Sequence, residues 1–94
     1  MTDLKRVKLR IHGIVQGVFY RTSALKVAKE LNIYGWIKNR ADSKVECIAE
    51  GEKADLEKFI TWCQKGSKHA NVDRIDIEWM DFQDQFTDFK IEHY

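Results

Sequence analysis

The stretch of sequence that decides the fold spans residues 7–39 and reads VKLRIHGIVQGVFYRTSALKVAKELNIYGWIKN. Apolar and polar residues alternate over residues 7–12, and this period of two predicts a half-buried strand that ends at Gly13. Over residues 21–32 the apolar residues recur at the spacing of one helix face, which predicts a helix. Residues 33–39 are rich in Ile, Tyr and Trp and predict a second strand.

The rest of the chain continues the succession of strands and helices. The segment at residues 40–43 predicts a hairpin connection, and residues 45–51 form the returning strand. A second helix follows and ends at Gly66. The apolar face of that helix consists of Leu56, Phe59, Ile60 and Cys63. The remaining predicted elements are a polar loop at residues 67–71, a fourth strand through Ile75, Ile77 and Trp79, and a fifth strand through Phe89 and Ile91 to the C-terminus.

This order of elements, βαββαβ followed by a terminal strand, predicts one α+β domain over residues 1–94. Helices that follow single strands of one sheet cross over on the same face. We therefore expect a two-layer ferredoxin-like sandwich, with a mainly antiparallel sheet and both helices on one face. A turn between the last two strands is expected to carry Asp81, Asp84 and Asp88 into solvent.

The first strand–helix–strand unit also predicts where its loops lie. Its two strands point the same way, so the segments that follow them meet at one edge of the domain. The loop at residues 13–20, the start of the helix near Arg21 and the end of the second strand at Asn39 are expected to share that edge.

The sequence GIVQGVFYR at residues 13–21 has the features of an anion site. The first amides of a helix have no partner within the helix and carry the positive end of its dipole. A glycine-containing turn before them can curl N–H groups around an oxyanion. Arg21 adds a permanent positive fork that can hold two phosphate oxygens. From these residues alone, a plain connecting loop with a solvated Arg21 remains open as the alternative.

Overall charge and cysteine content narrow the class of protein. Sixteen basic and fifteen acidic side chains give a net charge of +1, which argues against a dedicated nucleic-acid binder. Cys47 and Cys63 lie in apolar segments and are expected to be free buried thiols. The N-terminus has no apolar run, so we expect neither a signal peptide nor a membrane span. These features predict a cytoplasmic protein.

Two separate motifs carry a family resemblance. The chain resembles the acylphosphatase family, whose pattern combines a Gly-x-Val-Gln-Gly-Val-x-aromatic-Arg loop with a later Gly-Trp-hydrophobic-x-Asn strand. Both are present in that order, at residues 13–21 and 35–39. The likeness extends over nearly the full length, through Val45, Glu46, Gly51, Trp62, Cys63, residues 69–72 and residues 89–94. Four positions depart from the common pattern: Ile14 replaces an arginine, Tyr20 a phenylalanine, Ser43 a glycine and Ser67 a proline.

The resemblance implies a hydrolase without a cofactor that splits the carboxyl–phosphate bond of small acyl phosphates. It implies that the loop amides and Arg21 bind the phosphate, while Asn39 orients the attacking water. The substrate-binding residues implied are Val15, Gln16, Gly17, Val18, Phe19, Tyr20 and Arg21. Inorganic phosphate is expected as the product and a competitive inhibitor, and a monomer is expected, without a nucleic-acid or membrane partner. Judged without the motif, Asn39 fits a strand-end residue that satisfies the hairpin.

The absence of a His, Asp or Glu from both motifs fits this chemistry. Phosphoryl transfer depends mainly on positioning and on stabilising charge on the equatorial oxygens. The leaving carboxylate has a conjugate acid with a pKa of roughly 4, so it departs without a general acid. Alkyl phosphates lack this advantage, because their alkoxide leaving groups need a proton.

Two other kinds of function remain to be compared. A non-catalytic domain that binds acyl or carbamoyl phosphate would have the same anion site and differ only in lacking turnover. A ferredoxin-like RNA-binding module would need exposed aromatic residues on its central strands, and residues 45–51 contain none. A metal site is not expected, because His12, His69 and His93 are scattered without ligand spacing.

Overall fold

A computed structural model describes residues 2–93, so Tyr94 of the family-like C-terminal segment lies outside the described residues. In chain order the elements are β1 (Leu4–Ile14), α1 (Tyr20–Glu30), β2 (Tyr34–Asn39), β3 (Val45–Glu52), α2 (Lys53–Lys65), β4 (Asn71–Asp81) and β5 (Phe89–Glu92). The predicted order βαββαβ plus a terminal strand is confirmed. Neither helix in this part of the chain is long and apolar enough to cross a membrane.

The strands form one five-stranded sheet in the order β4-β1-β3-β2-β5. β3 lies in the middle and pairs antiparallel with both β1 and β2. At the edges, β4 runs antiparallel to β1 and β5 runs parallel to β2. The buried side chains of both helices join the core on one face of this sheet. The two-layer ferredoxin-like sandwich with a mainly antiparallel sheet is therefore confirmed.

The register of the central strand aligns the ends of its two neighbours. Val45 lies opposite Ile11 on β1 and opposite Asn39 on β2. Adjacent strands lie about 4.8 Å apart, so Asn39 is separated from Ile11 by roughly two strand spacings. The segment that follows β1 and the end of β2 consequently lie at the same end of the sheet, where both strands finish, as the strand–helix–strand pattern predicted.

β1 is longer than the alternation of residue types predicts. It begins at Leu4, which pairs with Glu52 of β3, and it continues to Ile14 because the edge strand β4 pairs with it from Lys5 to Ile14. The register shifts between His12 and Gly13, and such a bulge lets a strand continue past a local break in pattern. Helix α1 begins at Tyr20, one residue before its predicted start.

The core fills the space between the helices and the sheet. Every second residue of the first strand, at positions 7, 9 and 11, is fully buried, as the period of two predicts. The predicted apolar face of α2 is buried as well, and the ring of Phe59 packs edge-on against Phe89 with centroids 5.9 Å apart. Tyr20, at the start of α1, is also buried and joins this core.

Both cysteines are free and buried, as predicted. Burial raises the pKa of the Cys63 thiol to about 12 and raises the pKa of Cys47 well above its usual range. Because the thiolate is the reactive form of cysteine, neither side chain is a nucleophile near neutral pH.

The predicted turn between the last two strands is wrong. β4 and β5 form opposite edges of the sheet, so residues 82–88 must cross its full width. The far end of this crossing is held where the N–H of Gly35 donates to the carbonyl oxygen of Asp88 at 2.9 Å. Sequence periodicity locates strands but does not indicate which strands are neighbours, and this is why it suggested a turn. The three aspartates of the segment are exposed as expected, at positions 81, 84 and 88.

A buried carboxylate on the sheet holds this crossing segment in place. Glu50 is only 2% exposed and accepts hydrogen bonds from the N–H groups of Gln83 at 2.7 Å and Gln85 at 3.0 Å. The guanidinium of Arg6 lies 3.4 Å from the same carboxylate and stacks over the ring of Phe86. The side chain of Glu50 therefore satisfies two backbone N–H groups of the segment at residues 82–88, which covers the sheet face opposite the helices.

Replacing Glu50 with Ala should lower the free energy of unfolding by about 3 kcal/mol, because it leaves two backbone amides without their acceptor and a largely buried arginine without its carboxylate. Urea unfolding followed by circular dichroism measures this loss. Glu57→Ala, at an exposed position of α2, is the control and should change stability by no more than about 0.5 kcal/mol. Equal effects of the two variants would contradict the role given to Glu50.

Candidate active site

A cleft of about 240 Å³ opens where the loop before α1 meets the end of β2. Its lining consists of Val15, Gly17, Phe19, Tyr20, Arg21, Thr22 and Asn39. The structure thus brings together Arg21 and Asn39, the two side chains that the sequence singled out. Thr22 also lines the cleft, although neither motif pointed to it. Gln16 and Val18, which belong to the predicted set, do not line it.

The N-terminus of α1 forms one wall of the cleft and is free of competing groups. Phe19 is the N-cap residue and makes no side-chain capping hydrogen bond. The first turn contains no acidic residue, so nothing in it neutralises the positive end of the helix dipole. Within residues 2–93, the backbone N–H groups of residues 16–18 donate no hydrogen bond to other backbone or side-chain groups. Of these donors, the N–H group of Gly17 belongs to a residue that lines the cleft and is available to an anion there.

Arg21 differs from every other arginine in the chain. The other four each lie within 4 Å of a carboxylate, in the pairs Arg6–Glu50, Arg10–Glu46, Arg40–Glu46 and Arg74–Asp76. Arg21 has no such partner among residues 2–93. No carboxylate of residues 2–93 therefore compensates its positive charge, which is available to a ligand in the cleft.

Four hydrogen bonds from three side chains hold the loop before α1 against the hairpin and α2. The amide group of Gln16 donates to the carbonyl oxygens of Arg40 at 2.8 Å and Lys44 at 2.9 Å. The hydroxyl of Ser67 donates to the carbonyl oxygen of Val18 at 2.6 Å. The hydroxyl of Tyr20 donates to the backbone of α2, and burial raises the pKa of this phenol far above its usual value. These contacts hold the loop while leaving its N–H groups unused.

Gly17 gives the loop its open surface. Its φ of 73° lies in the left-handed region, where a side chain is strained. A Cβ added at this position would meet no atom within 4 Å, so the backbone here borders open space. A ligand can approach the amides closely at Gly17 because no side chain stands in front of them.

Asn39 is the last residue of β2 and carries an unsatisfied acceptor. Its Oδ1 is buried and accepts no hydrogen bond from residues 2–93. The adjoining hairpin is closed without it, by the N–H of Arg40 donating to the carbonyl oxygen of Lys44 at 2.8 Å and by the N–H of Ser43 donating to that of Arg40. Among residues 2–93, the hairpin's hydrogen bonds come from its own backbone, Asp42 and Gln16, so the alternative role for the Asn39 side chain is already filled. A buried acceptor without a partner requires a water or ligand donor.

The hairpin beside Asn39 is stabilised by its own charges. Hydrogen bonds from Arg40 lower the pKa of Asp42 to about 2, and hydrogen bonds to Asp42 and Glu46 raise the pKa of Arg40. Arg40 contacts Glu46, itself 7% exposed, at 2.7 Å. The guanidinium of Arg40 is occupied by Asp42 and Glu46, so it does not compete with Arg21 for an anion in the cleft.

Metal-binding geometry is not found in the described part of the chain. No group of three or more His, Cys, Asp or Glu side chains among residues 2–93 could hold a metal ion. His12 instead contacts Asp76 at 2.8 Å on the exposed sheet face, and this contact lowers the pKa of Asp76.

The fold and the cleft define a small two-layer ferredoxin-like domain with a cationic site at a helix N-terminus, which is a site suited to an oxyanion. Comparison with known proteins identifies the family. The family model described as Acylphosphatase matches residues 7–91, and the chain belongs to that family.

Individual relatives agree with this assignment. The acylphosphatase of Roseiflexus sp. strain RS-1 is 40% identical over 79 residues, covering 84% of this chain and 85% of the relative. The crystal structure of acylphosphatase from Bacillus subtilis has 30% identity and a TM-score of 0.91, covering 96% of this chain and 99% of that one. The acylphosphatase structure from Coxiella burnetii has 31% identity and a TM-score of 0.90, covering 96% and 94% of the two chains.

Replacing Gln16 with Ala should lower the free energy of unfolding by about 1–3 kcal/mol, because two carbonyl oxygens lose their shared donor. The matched control is Gln64→Ala, at an exposed position of α2, which should be nearly neutral. Urea unfolding of both variants provides the comparison. If Gln16→Ala is as stable as the control, the loop and the hairpin are held together by other contacts.

Proposed function

We propose that this protein is an acylphosphatase, a hydrolase that converts an acyl phosphate and water into a carboxylate and inorganic phosphate. The observation that carries the proposal is that one cleft combines Arg21 and the buried acceptor of Asn39, neither of which has a partner among residues 2–93. Membership of the acylphosphatase family supports the same activity.

The phosphate-binding loop in this proposal consists of residues 15–20 together with Arg21. Its N–H groups and the guanidinium stabilise the charge on the equatorial oxygens as the phosphorus–oxygen bond to the acyl group breaks. Support comes from the unneutralised N-terminus of α1 and from the open backbone at Gly17. Gln16, Val18 and Tyr20 contribute backbone groups, because their side chains or carbonyl oxygens are used to fix the loop.

Asn39 is proposed to hold the attacking water. Its buried Oδ1 can accept a hydrogen bond from that water and orient it toward phosphorus. The new phosphorus–oxygen bond forms as the bond to the carboxylate breaks, and the proton of the water passes to solvent or to the product phosphate. A carboxylate departs unprotonated at neutral pH, so the cleft needs neither a general acid nor a cofactor.

The setting proposed for this activity is a cytoplasmic monomer that acts on small molecules, with no nucleic-acid or membrane partner. Two buried free thiols suit a reducing compartment such as the cytoplasm. The nearly balanced charge gives no general attraction to nucleic acid or to an anionic membrane surface.

Purified protein should release phosphate from acetyl phosphate and benzoyl phosphate and should leave glycerol phosphate nearly untouched. Turnover should survive exhaustive treatment with EDTA, since the proposed chemistry uses no metal. Phosphate release is measured with and without the chelator. Binding of acyl phosphates without any turnover would instead identify a non-catalytic binding domain, and comparable rates on glycerol phosphate would reveal a general acid.

Inorganic phosphate should inhibit competitively with respect to the acyl phosphate, because both would occupy the same loop amides and Arg21. Sulfate should behave in the same way. Initial rates over a range of substrate and inhibitor concentrations test this expectation. Strictly noncompetitive inhibition would place the substrate outside the loop at residues 15–20.

Substitutions at Arg21 and Asn39 should have different effects. Arg21→Gln should weaken phosphate binding roughly 10-fold or more and lower kcat/KM by about 10²-fold or more, since the contact with phosphate strengthens in the transition state. Asn39→Ala should lower kcat by about 10²-fold while leaving the inhibition constant of phosphate nearly unchanged, because it misplaces only the water.

Matched controls for these variants are Arg74→Gln and Asn71→Ala, both at exposed positions of β4. Thermal melts of all four proteins check that each is folded. Near-normal turnover in Asn39→Ala combined with weaker phosphate binding would show that Asn39 contacts the phosphate rather than the water.

A further inference from the structure

Phe19 has a large apolar side chain that lies mostly in water, where apolar surface is unfavourable. Its side chain is 77% exposed, the highest value among the large apolar residues of residues 2–93. Ile14 follows at 60%, and the remaining exposed apolar residues lie between 41% and 45%. The ring stands at the rim of the cleft, as the residue that immediately precedes α1.

The backbone of Phe19 is held in a conformation that bulky residues rarely adopt. Its φ of 61° and ψ of 24° lie in the left-handed region, and backbone strain of this kind is concentrated at functional sites. The neighbours on both sides are anchored, by the hydrogen bond to Val18 and by the buried side chain of Tyr20. These anchors keep the ring outside the core.

The rest of the cleft wall offers no other exposed apolar side chain. Val15 and Tyr20 line the cleft but are 1% exposed, so their side chains belong to the core. Arg21, Thr22 and Asn39 contribute polar groups. Among the described residues that line the cleft, Phe19 therefore supplies the exposed apolar surface that an apolar ligand group can contact as it leaves.

We propose that Phe19 determines specificity for the acyl group and favours acyl phosphates with aromatic or bulky apolar acyl groups. This inference rests on the proposed function, since it requires the phosphate end of the substrate to occupy the loop and Arg21. The acyl end then extends past the rim, where a phenyl ring can pack on Phe19 and remove apolar surface of both rings from water. Acetyl phosphate is too short to gain much from this contact.

The test compares kcat/KM for benzoyl phosphate and acetyl phosphate in the wild type and in two variants. Phe19→Leu keeps an apolar side chain, and Phe19→Asn removes it while suiting the left-handed backbone. The benzoyl-to-acetyl ratio should fall by about 3- to 10-fold in Phe19→Asn and by less in Phe19→Leu. Ile14→Ala, which removes an exposed apolar side chain outside the cleft lining, should leave the ratio unchanged.

A binding measurement extends the test to variants with damaged turnover. Benzylphosphonate and methylphosphonate share a phosphonate group and differ in the apolar part, so the ratio of their calorimetric affinities isolates the contact with Phe19. The benzyl compound should bind more tightly to the wild type, and this advantage should shrink in Phe19→Asn. An unchanged affinity ratio, or an unchanged substrate ratio, would overturn the role of Phe19 while leaving the proposed function intact. Failure of the wild type to hydrolyse any acyl phosphate would contradict the proposed function instead.

Discussion

The antiparallel pairing of β3 with both β1 and β2 is the constraint on which the site depends. Because both neighbours run opposite to β3, they run parallel to each other, and their carboxyl ends lie at one edge of the sheet. The shared partner Val45 then aligns Asn39 with Ile11, just before the loop that leads to α1. The arginine at the start of α1 and the amide at the end of β2 meet only because this register is held.

In the loop between β1 and α1, side-chain hydrogen bonds fix the chain, so that its backbone N–H groups need not take part and can bind a ligand. The side chain of Gln16 donates to the hairpin, and that of Tyr20 donates to α2. The hydroxyl of Ser67 donates to the loop itself. The backbone N–H groups of residues 16–18 are left without acceptors among residues 2–93, beside the N-terminus of α1, whose first turn has no acidic residue. An anion site of this kind needs little side-chain chemistry, since its strength comes from dipoles that are already oriented.

The arginines paired with carboxylates have a structural role that Arg21 does not share. On the sheet face opposite the helices, buried Glu46 and Glu50 hold three arginines, and one of these carboxylates also anchors the segment that crosses to β5. Those charges stabilise the fold and are compensated locally. Arg21 lies apart from them and has no carboxylate partner in the part of the chain that the structure describes, which leaves its charge available for binding.

Period-two and helical patterns in the sequence were sufficient for the order of elements, the two-layer architecture and the core faces of β1 and α2. The motifs at residues 13–21 and 35–39 singled out Arg21 and Asn39 through their resemblance to the acylphosphatase family, since the residues alone left Asn39 as a strand-end residue of the hairpin. Other features depend on residues that are distant in sequence: the crossing at residues 82–88, its anchoring by Glu50, and the two hydrogen bonds of Gln16. The exposure of Phe19 likewise follows from anchors at distant positions. Such contacts were decided only by the tertiary structure, since periodicity reports which face of its own element a residue occupies and not what lies across from it.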